Sequence, residues 1–255
     1  MSDAVLFEAR DDGIAIITLN RPEFHNALSA DIRAGLFAAW ARFERDSSLR
    51  VAVLTGAGNK AFCAGGDLKE MVELKLAIPP RDMFPAPGDT IELTKPTIAA
   101  VNGVAFAGGW WIAQCCDLCV ASMTAKFAIT EVKVGRSSPW AAPLIHMIPQ
   151  RIMMELVLTG KPISAQRAYD IGLVNRLAEP DDLMAVALAL AAEVIDGAPL
   201  SVRAARDTVR LSTEMGRSAA LQAARHASES AYRSEDAQEG PRAFAEKRRP
   251  QWKGR

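Results

Sequence analysis

Two glycine-rich turns, each directly after a short buried strand, are the features of this chain whose residue types could do chemistry. The first spans residues 62–69 (FCAGGDLK) and the second residues 102–109 (NGVAFAGG). Each leads into a predicted helix start, where the first backbone N–H groups have no partner inside the helix and can face an anion. Glycine also allows a ligand to approach the backbone closely. If the two turns converge, their N–H groups can stabilise charge developing on a carbonyl oxygen.

A third turn, residues 56–61 (GAGNKA), fits the G-x-G-x-x-A pattern of dinucleotide-binding proteins. That pattern requires a helix to open at the glycines and a second strand ending in an acid about 20 residues later. Residues 62–66 (FCAGG) do not continue as a helix, and no such strand follows. We therefore interpret this segment as an ordinary turn and predict no nucleotide cofactor.

The four cysteines raise the hypothesis of a metal site. Cys115, Cys116 and Cys119 form a Cys-Cys-x-x-Cys pattern inside an apolar run, and Cys63 lies far away in the sequence. No histidine is near them, so a fourth ligand and the usual loop setting are missing. We predict buried, reduced thiols and no metal.

The elements that must position the two turns alternate between strands and helices up to about residue 195, and the rest of the chain is helical. One amphipathic helix is predicted after the N-cap Ser29, with an apolar stripe of Ile32, Leu36, Phe37, Trp40 and Phe43. Strands are predicted at residues 5–10, 14–19, 51–55, 97–101, 118–121, 127–130 and 173–177. Further helices are predicted at residues 67–74 and 108–113, from 181 to 197, and at 201–213 and 217–233. This pattern indicates an α/β fold.

Composition and charge exclude several classes of function. Lys and Arg number 30, Asp and Glu number 30, and the formal net charge is +0. This balance argues against nucleic acid or an anionic membrane surface as the main partner. No apolar run reaches the roughly 18 residues needed to span a bilayer. The first residues (MSDAVLFEARDD) are unlike a signal peptide, so we expect a cytoplasmic protein.

Seven segments, in this order, resemble motifs of the crotonase superfamily, also called the enoyl-CoA hydratase/isomerase family. The resemblance covers nearly the whole chain. The segments are ITLNRP at 17–22 with NAL at 26–28, AFCAGGDLKE at 61–70, KPTIAAVNGVAFAGG at 95–109, CDLCVAS at 116–122, AKFAITEVKVG at 125–135, TGKPISAQRAYDIGLVNRL at 159–177 and FAEKRRPQW at 244–252.

This resemblance implies a fold, a substrate and an assembly. The fold would be a spiral of ββα units over residues 1–195 that holds a site for a coenzyme A thioester. Residues 196–255 would be C-terminal helices that assemble homotrimers, often paired into hexamers. Coenzyme A would be part of the substrate, so no separate cofactor is expected.

The resemblance also implies site residues. Gly66 and Gly108 would supply the two oxyanion N–H groups. The CoA and acyl path would be lined by Ala64, Gly66, Asp67, Leu68, Lys69, His25, Ala27 and Trp111, and by Phe244 and Lys247 from the tail of a neighbouring subunit. The tail independently suits phosphates, because it carries six basic residues against the single acid Glu246: Arg242, Lys247, Arg248, Arg249, Lys253 and Arg255. Phe244 and Trp252 offer stacking surfaces in the same stretch.

The acid/base residues depart from the hydratase pattern. Hydratases of the family use two glutamates, one placed three residues after the second oxyanion glycine, and this chain has Trp111 there. The other glutamate corresponds to Glu131. One carboxylate suffices to shift a double bond, because the same group can remove a proton from one carbon and return it to another. We therefore predict isomerase-like proton transfer by Glu131, with Trp110, Trp111 and Trp140 narrowing the acyl pocket.

Two alternatives remain open at this stage. The protein could be a true enoyl-CoA hydratase in which another acid, Asp67, Glu70 or Asp89, compensates for Trp111. It could also be a non-catalytic relative that binds CoA thioesters or RNA, although the zero net charge weakens the RNA version.

Overall fold

The structure, a computed structural model, describes residues 4–75 and 77–255, with Arg81 described only for its backbone. Residues 1–3 and 76, which belong to the predicted 1–195 domain, lie outside that description. The strands are β1 Val5–Ala9, β2 Ile14–Leu19, β3 Val51–Gly56, β4 Ala61–Cys63, β5 Thr97–Val101, β6 Val104–Phe106, β7 Leu118–Ser122, β8 Lys126–Ala128, β9 Ile163–Ser164 and β10 Arg176–Ala178. The α-helices are α1 Ala30–Arg45, α2 Leu68–Leu74, α3 Gly108–Gln114, α4 Gln150–Thr159, α5 Ala165–Asp170, α6 Leu183–Ile195, α7 Pro199–Glu214, α8 Arg217–Arg233 and α9 Asp236–Ala245. Short 3-10 helices cover Pro22–Phe24, Arg81–Met83, Glu131–Val134, Pro139–His146 and Pro180–Asp182.

The strands form two sheets. A six-stranded sheet has the order β1-β2-β3-β5-β7-β10, and a four-stranded sheet has the order β4-β6-β8-β9. The β1–β2 hairpin and the β8–β9 pair are antiparallel, and the other pairs are parallel. Every residue of β3 and β5 is buried, as expected for parallel strands covered on both faces. The α/β prediction is confirmed.

Three consecutive ββα units build the part of the fold that carries the two glycine turns. They are β3-β4-α2, β5-β6-α3, and β7-β8 followed by the 3-10 helix Glu131–Val134. In each unit the first strand enters the larger sheet and the second enters the smaller one. Because β4, β6 and β8 are parallel neighbours, the segments that follow them leave the same edge of the smaller sheet.

Helix α1 begins as predicted, since the N–H of Ile32 donates to Oγ of Ser29 at 3.5 Å. The predicted apolar stripe needs one correction. Phe37 is only half-buried, and Ala39 takes its place in the buried face with Leu36 and Trp40. Position 39 lies three residues after 36 and so falls on the face that meets the sheet.

Two predicted strands are displaced. The strand expected at 127–130 is Lys126–Ala128, because the chain turns at Thr130 into a 3-10 helix. The strand expected at 173–177 is Arg176–Ala178, and just before it Oδ1 of Asn175 accepts a hydrogen bond from the N–H of Cys119 at 2.7 Å. Side-chain capping of this kind cannot be seen in an apolar pattern.

Helix α9 was not predicted from the sequence. This helix contains Gly240 and Pro241, two residue types that disfavour helix interiors. Its first residue, Asp236, is buried and accepts hydrogen bonds from the N–H groups of Lys253 and Gly254 at 2.7 and 2.8 Å. Contacts with the end of the chain therefore hold a helix that propensity alone does not favour.

The larger sheet is buried on both faces. Leu54 and Ala99 belong to the cluster that contains α1, whereas their neighbours Val53 and Ile98 pack with α6. This alternation is the period of two expected for strands. Helices α7 to α9 follow α6, and the proposed division at residue 195 stays a prediction.

Among the described residues, no single helix is long and apolar enough to cross a membrane. Only Pro180–Ile195 and Pro199–Glu214 reach the required length together, and they are bent by 105° relative to each other.

Candidate active site

A cleft of about 1710 Å³ opens where β4, β6 and β8 end. Both glycine turns contribute to its wall. Of the residues predicted for the site, the cleft brings together His25, Ala27, Ala64, Gly66, Asp67, Leu68, Lys69, Gly108, Trp111 and Glu131, whereas Phe244 and Lys247 of the same chain do not line it.

The two glycine turns pack directly against each other. Gly65 has a φ of +99°, and a β-carbon added there would lie 2.9 Å from Cβ of Ala107 in the other turn. A β-carbon added at Gly108 would lie 3.7 Å from the backbone nitrogen of Gly66. Within the described part of the chain, neither the Gly66 nor the Gly108 N–H donates to a protein acceptor. The two N–H groups are therefore close together and available to a ligand oxygen.

The residue before Gly108 has a strained backbone. Ala107 has φ 50° and ψ −122° and immediately precedes α3, a region that residues with a side chain rarely adopt. Its N–H donates to the carbonyl of Ala128 at the end of β8, at 2.9 Å. This hydrogen bond to the smaller sheet thus holds Ala107, and Gly108, the next residue, begins α3.

The segment around His25 is hydrogen-bonded onto the first turn. The N–H of Ala64 donates to the carbonyl of His25 at 3.0 Å, and that of Leu28 donates to the carbonyl of Gly65 at 2.8 Å. Asn26 is fully buried, and its Nδ2 donates to the carbonyls of Ala57 and Ala61. Asn26 thereby fixes a cleft wall without lining the cleft, a role that its place in the NAL segment did not reveal.

Glu131 is the carboxylate best prepared for proton transfer. It is half-buried and begins the 3-10 helix after β8. Nε1 of Trp140 donates to its Oε1 at 2.8 Å, whereas Oε2 is buried without a hydrogen-bond partner among the described residues. Burial raises the pKa of Glu131, and hydrogen bonds from its own backbone and from Trp140 oppose that rise. A carboxylate with a raised pKa in a cleft is suited to accept and return a proton near neutral pH.

An aromatic wall faces this part of the cleft. Trp111 packs on Phe84 with ring centroids 5.3 Å apart, and it stacks on Trp140 at 6.2 Å. Trp110 does not line the cleft: it is 1% exposed and packs on Phe127. Consecutive helix positions point about 100° apart, so only one of the two adjacent tryptophans can reach the cleft. The prediction was wrong for Trp110, and it missed Phe84.

The three candidate second acids differ in their surroundings. Glu70 does not line the cleft, because Arg33 holds both its carboxylate oxygens at 2.9 Å. Asp67 lines the cleft, and its Oδ1 caps α2 by accepting the N–H groups of Lys69 and Glu70. Asp89 lines the cleft and is exposed. Asp67 and Asp89 therefore remain as carboxylates that a substrate could meet.

The basic tail folds back on its own chain. Arg248 pairs with Glu239 and Glu246, and Glu235 accepts contacts from Lys253 and Arg255. Three of its six basic residues form no ion pair within the described chain: Arg242, Lys247 and Arg249. Glu235 and Glu239, two acids outside the counted segment, thus offset part of the tail's positive charge.

The two aromatic residues of the tail behave differently. Trp252 donates from Nε1 to the carbonyl of Asp196 at 2.7 Å and packs beside Gly240. Trp252 is half-buried, and its use as a stacking surface stays a prediction. Phe244 is 85% exposed and keeps its ring free of the chain's core.

Cys63, Cys116 and Cys119 are buried, as predicted, whereas Cys115 is only half-buried. Burial raises the pKa of Cys63, Cys115 and Cys119 to about 12. In the described residues, no group of three or more His, Cys, Asp or Glu side chains is arranged to hold a metal ion.

Comparison with known proteins places the chain in a family. The family described as enoyl-CoA hydratase/isomerase matches residues 9–255. The chain is 40% identical to (E)-benzylidenesuccinyl-CoA hydratase of Thauera aromatica, over 94% of this chain and 96% of that protein. It is 39% identical to carnitinyl-CoA dehydratase of Salmonella typhi, over 96% and 97%.

Solved structures agree with this placement. The crystal structure of enoyl-CoA hydratase from Mycobacterium tuberculosis H37Rv has a TM-score of 0.91, is 39% identical, and is covered fully in both chains. The enoyl-CoA hydratase of Bacillus anthracis has a TM-score of 0.89 at 30% identity. The resemblance seen in the motifs is confirmed, and the chain belongs to the enoyl-CoA hydratase/isomerase family of acyl-CoA enzymes and has the crotonase fold.

Proposed function

We propose that this protein shifts the double bond of an enoyl-CoA thioester, with Glu131 as the proton carrier. The carboxylate of Glu131 takes a proton from the carbon next to the thioester carbonyl, and the electron pair moves onto the carbonyl oxygen to form an enolate. The N–H groups of Gly66 and Gly108 hold that oxygen. Glu131 then returns the proton to the γ-carbon, so a 3-enoyl-CoA becomes a 2-enoyl-CoA with all atoms retained.

The observation that carries this proposal is the state of Glu131. Its Oε2 is buried and without a partner in the described chain. Glu131 follows β8, and Gly108 follows β6, the neighbouring strand in the smaller sheet. Hydration would need water activation as well as protonation of carbon. The indole of Trp111, which stands where the family pattern has a second glutamate, is a donor only and cannot exchange a proton at neutral pH.

Hydration is the second candidate function. Asp67 and Asp89 both line the cleft, and either could activate water opposite Glu131. The names of the relatives, a hydratase and a dehydratase, favour this chemistry. Glu70 is the weakest of the three acids, because its ion pair with Arg33 holds it outside the cleft.

The acyl group is proposed to include an aromatic ring. Phe84, Trp111 and Trp140 form a wall of three aromatic side chains, and such faces favour flat apolar groups. The name of the Thauera relative, which acts on (E)-benzylidenesuccinyl-CoA, supports the same choice. Aryl-substituted enoyl-CoA thioesters therefore belong in the first assays.

Self-association as a homotrimer or hexamer is also a proposal. It is supported by large apolar side chains that helices α7 to α9 leave uncovered: Val209 is 67% exposed, Tyr232 79% and Phe244 85%. A neighbouring subunit's tail could then bring Phe244 and Lys247 to the cleft. Sedimentation velocity of the purified protein measures the assembly, and a single monomeric species would contradict the proposal.

The decisive experiment incubates the purified protein with 2-enoyl-CoA and 3-enoyl-CoA substrates, with and without an aryl group, and identifies the products by mass spectrometry. Conversion of the 3-enoyl to the 2-enoyl thioester without gain of 18 Da supports isomerisation. A hydrated product that disappears in Asp89→Asn or Asp67→Asn establishes the hydratase alternative. Binding of the thioesters without turnover of any of them establishes the non-catalytic one.

A further inference from the structure

We infer that Trp140 is a positioning residue for Glu131: its indole N–H holds Oε1 of the carboxylate and favours Oε2 as the atom that carries the proton when Glu131 is neutral. The inference rests on the proposed role of Glu131 in proton transfer. It begins from the hydrogen bond of 2.8 Å between Nε1 of Trp140 and Oε1 of Glu131.

The chemistry of indole makes this hydrogen bond one-directional. The indole N–H is a donor and has no acceptor lone pair. Oε1 must therefore act as the acceptor whether Glu131 is charged or neutral. In a neutral carboxyl group the carbonyl oxygen is a better acceptor than the hydroxyl oxygen, so this hydrogen bond favours the proton on Oε2. Oε2 is buried and has no hydrogen-bond partner among the described residues, so no other protein group competes for that proton.

Trp140 is itself held in place from α3. Its ring stacks on Trp111, with planes 13° apart. Its carbonyl accepts a hydrogen bond from Nε2 of Gln114 at 2.8 Å. Both contacts come from α3, the helix that begins at Gly108. The same helix therefore positions the hydrogen-bond partner of Glu131 and one of the two proposed oxyanion donors.

The electrostatic surroundings of Glu131 leave the indole as its main side-chain partner. The causes that set the pKa of Glu131 are burial, its own backbone and Trp140. Its own 3-10 helix carries Lys133. The charged side chains that share the cleft are Arg21, Glu23, Asp67, Lys69, Asp89 and Arg136.

Trp140→Phe tests the inference, because it keeps a six-membered aromatic ring and removes the indole N–H; the accompanying loss of ring size is the same in the control. The matched control is Trp110→Phe: the Nε1 of Trp110 is buried and without a partner in the described chain, so this change removes an indole N–H that contacts no carboxylate. Two readouts are compared, the pH profile of kcat/KM and the titration of Glu131 followed by NMR in protein labelled with ¹³C at glutamate carboxyls. Folding of each variant is checked by circular dichroism.

In Trp140→Phe, we expect the acid limb of kcat/KM and the Glu131 titration to move upward together by about one pH unit, with KM nearly unchanged. Trp110→Phe should change neither the acid limb of kcat/KM nor the titration of Glu131. Unchanged titration in folded Trp140→Phe would overturn the inference. If the wild-type protein proves inactive, the proposed function fails, whereas the NMR shift still decides whether Trp140 controls Glu131.

Discussion

The indole rings of Trp111 and Trp140 lie nearly parallel, with planes 13° apart and centroids 6.2 Å apart. Trp140 also donates a hydrogen bond to Glu131. Trp111 thus supports the hydrogen-bond partner of Glu131, the proposed proton carrier, from the position that corresponds to the second glutamate of the hydratase pattern. Trp111 therefore shapes the architecture of the cleft and, in the proposed function, its chemistry.

Replacing Trp111 with glutamate should add hydration activity. The new carboxylate restores the second acid/base group, so addition of water to a 2-enoyl-CoA should exceed the parent level. The variant should also lose stability, because a large packed ring gives way to a charge. Trp111→Gln is the control, because glutamine is similar in size to glutamate but carries no acid group. Equal hydration by the two variants, both shown to fold and bind CoA, would contradict a role for the added carboxylate.

Replacing Gly108 with proline should remove one of the two N–H donors. The expected loss is about 2.7–4 kcal/mol of transition-state stabilisation, measured from kcat/KM. Gly108→Ala is the matched variant. Its β-carbon would lie a tight 3.0 Å from Cδ1 of Leu28, so the end of that side chain must shift, but the N–H is kept and the loss of activity should be smaller. Full turnover in a folded Gly108→Pro protein would exclude the proposed oxyanion contact.

Glu131→Gln should abolish activity and stabilise the protein at neutral pH. Loss of proton transfer typically costs about 10²–10⁴-fold in rate. The native pKa of Glu131 is raised above its ordinary value of 4.5, so the folded state binds its proton more tightly than the unfolded chain. The free energy of unfolding therefore falls as pH rises from the ordinary pKa of glutamate through the native pKa of Glu131. Above the native pKa, the full loss of stability is present.

Glutamine does not titrate, so the Tm of Glu131→Gln should exceed that of the parent at pH 8 and approach it at pH 4. The comparison is made by differential scanning calorimetry at both pH values. A Tm difference that does not change with pH would show that ionisation of Glu131 does not cost stability.

Lys247→Ala should weaken binding of a CoA thioester more than binding of the corresponding pantetheine thioester. Lys247 forms no ion pair among the described residues, and only the CoA ester carries the nucleotide phosphates that a free ammonium group would attract. Arg248→Ala is the control, because Arg248 pairs with Glu239 and Glu246 and serves the fold of the tail. Equal losses for both ligands in Lys247→Ala would remove this residue from the CoA site.

Ala107→Gly should raise stability by about 1 kcal/mol, or about 2–4 °C in Tm for a chain of this size, because glycine adopts φ 50° without strain. Ala105→Gly, in the regular strand β6, should instead destabilise. A fall in Tm for Ala107→Gly would mean that the backbone of Ala107 is not strained.

Much of this protein could be predicted from its amino-acid sequence. Short apolar runs indicated the buried strands, because a parallel strand that is covered on both faces is apolar almost throughout. The ordered motifs identified the family, the two glycine turns and Glu131. These features are local: each depends on a few adjacent residues whose types are restricted by backbone conformation or by chemistry.

The tertiary structure decided which of those residues meet. Gly66, Gly108 and Glu131 share one cleft because β4, β6 and β8 are parallel neighbours in one sheet, and strand order is a long-range property that no local pattern encodes. Other contacts between separate segments were likewise decided by the fold. Trp140 donates a hydrogen bond to Glu131, Arg33 forms an ion pair with Glu70 that keeps it out of the cleft, and the tail packs onto Asp236 and Glu239. The sequence shows which side chains are able to pair by charge and polarity. Only packing determines which of them lie within hydrogen-bond distance, because that distance depends on the relative positions of all the neighbouring elements.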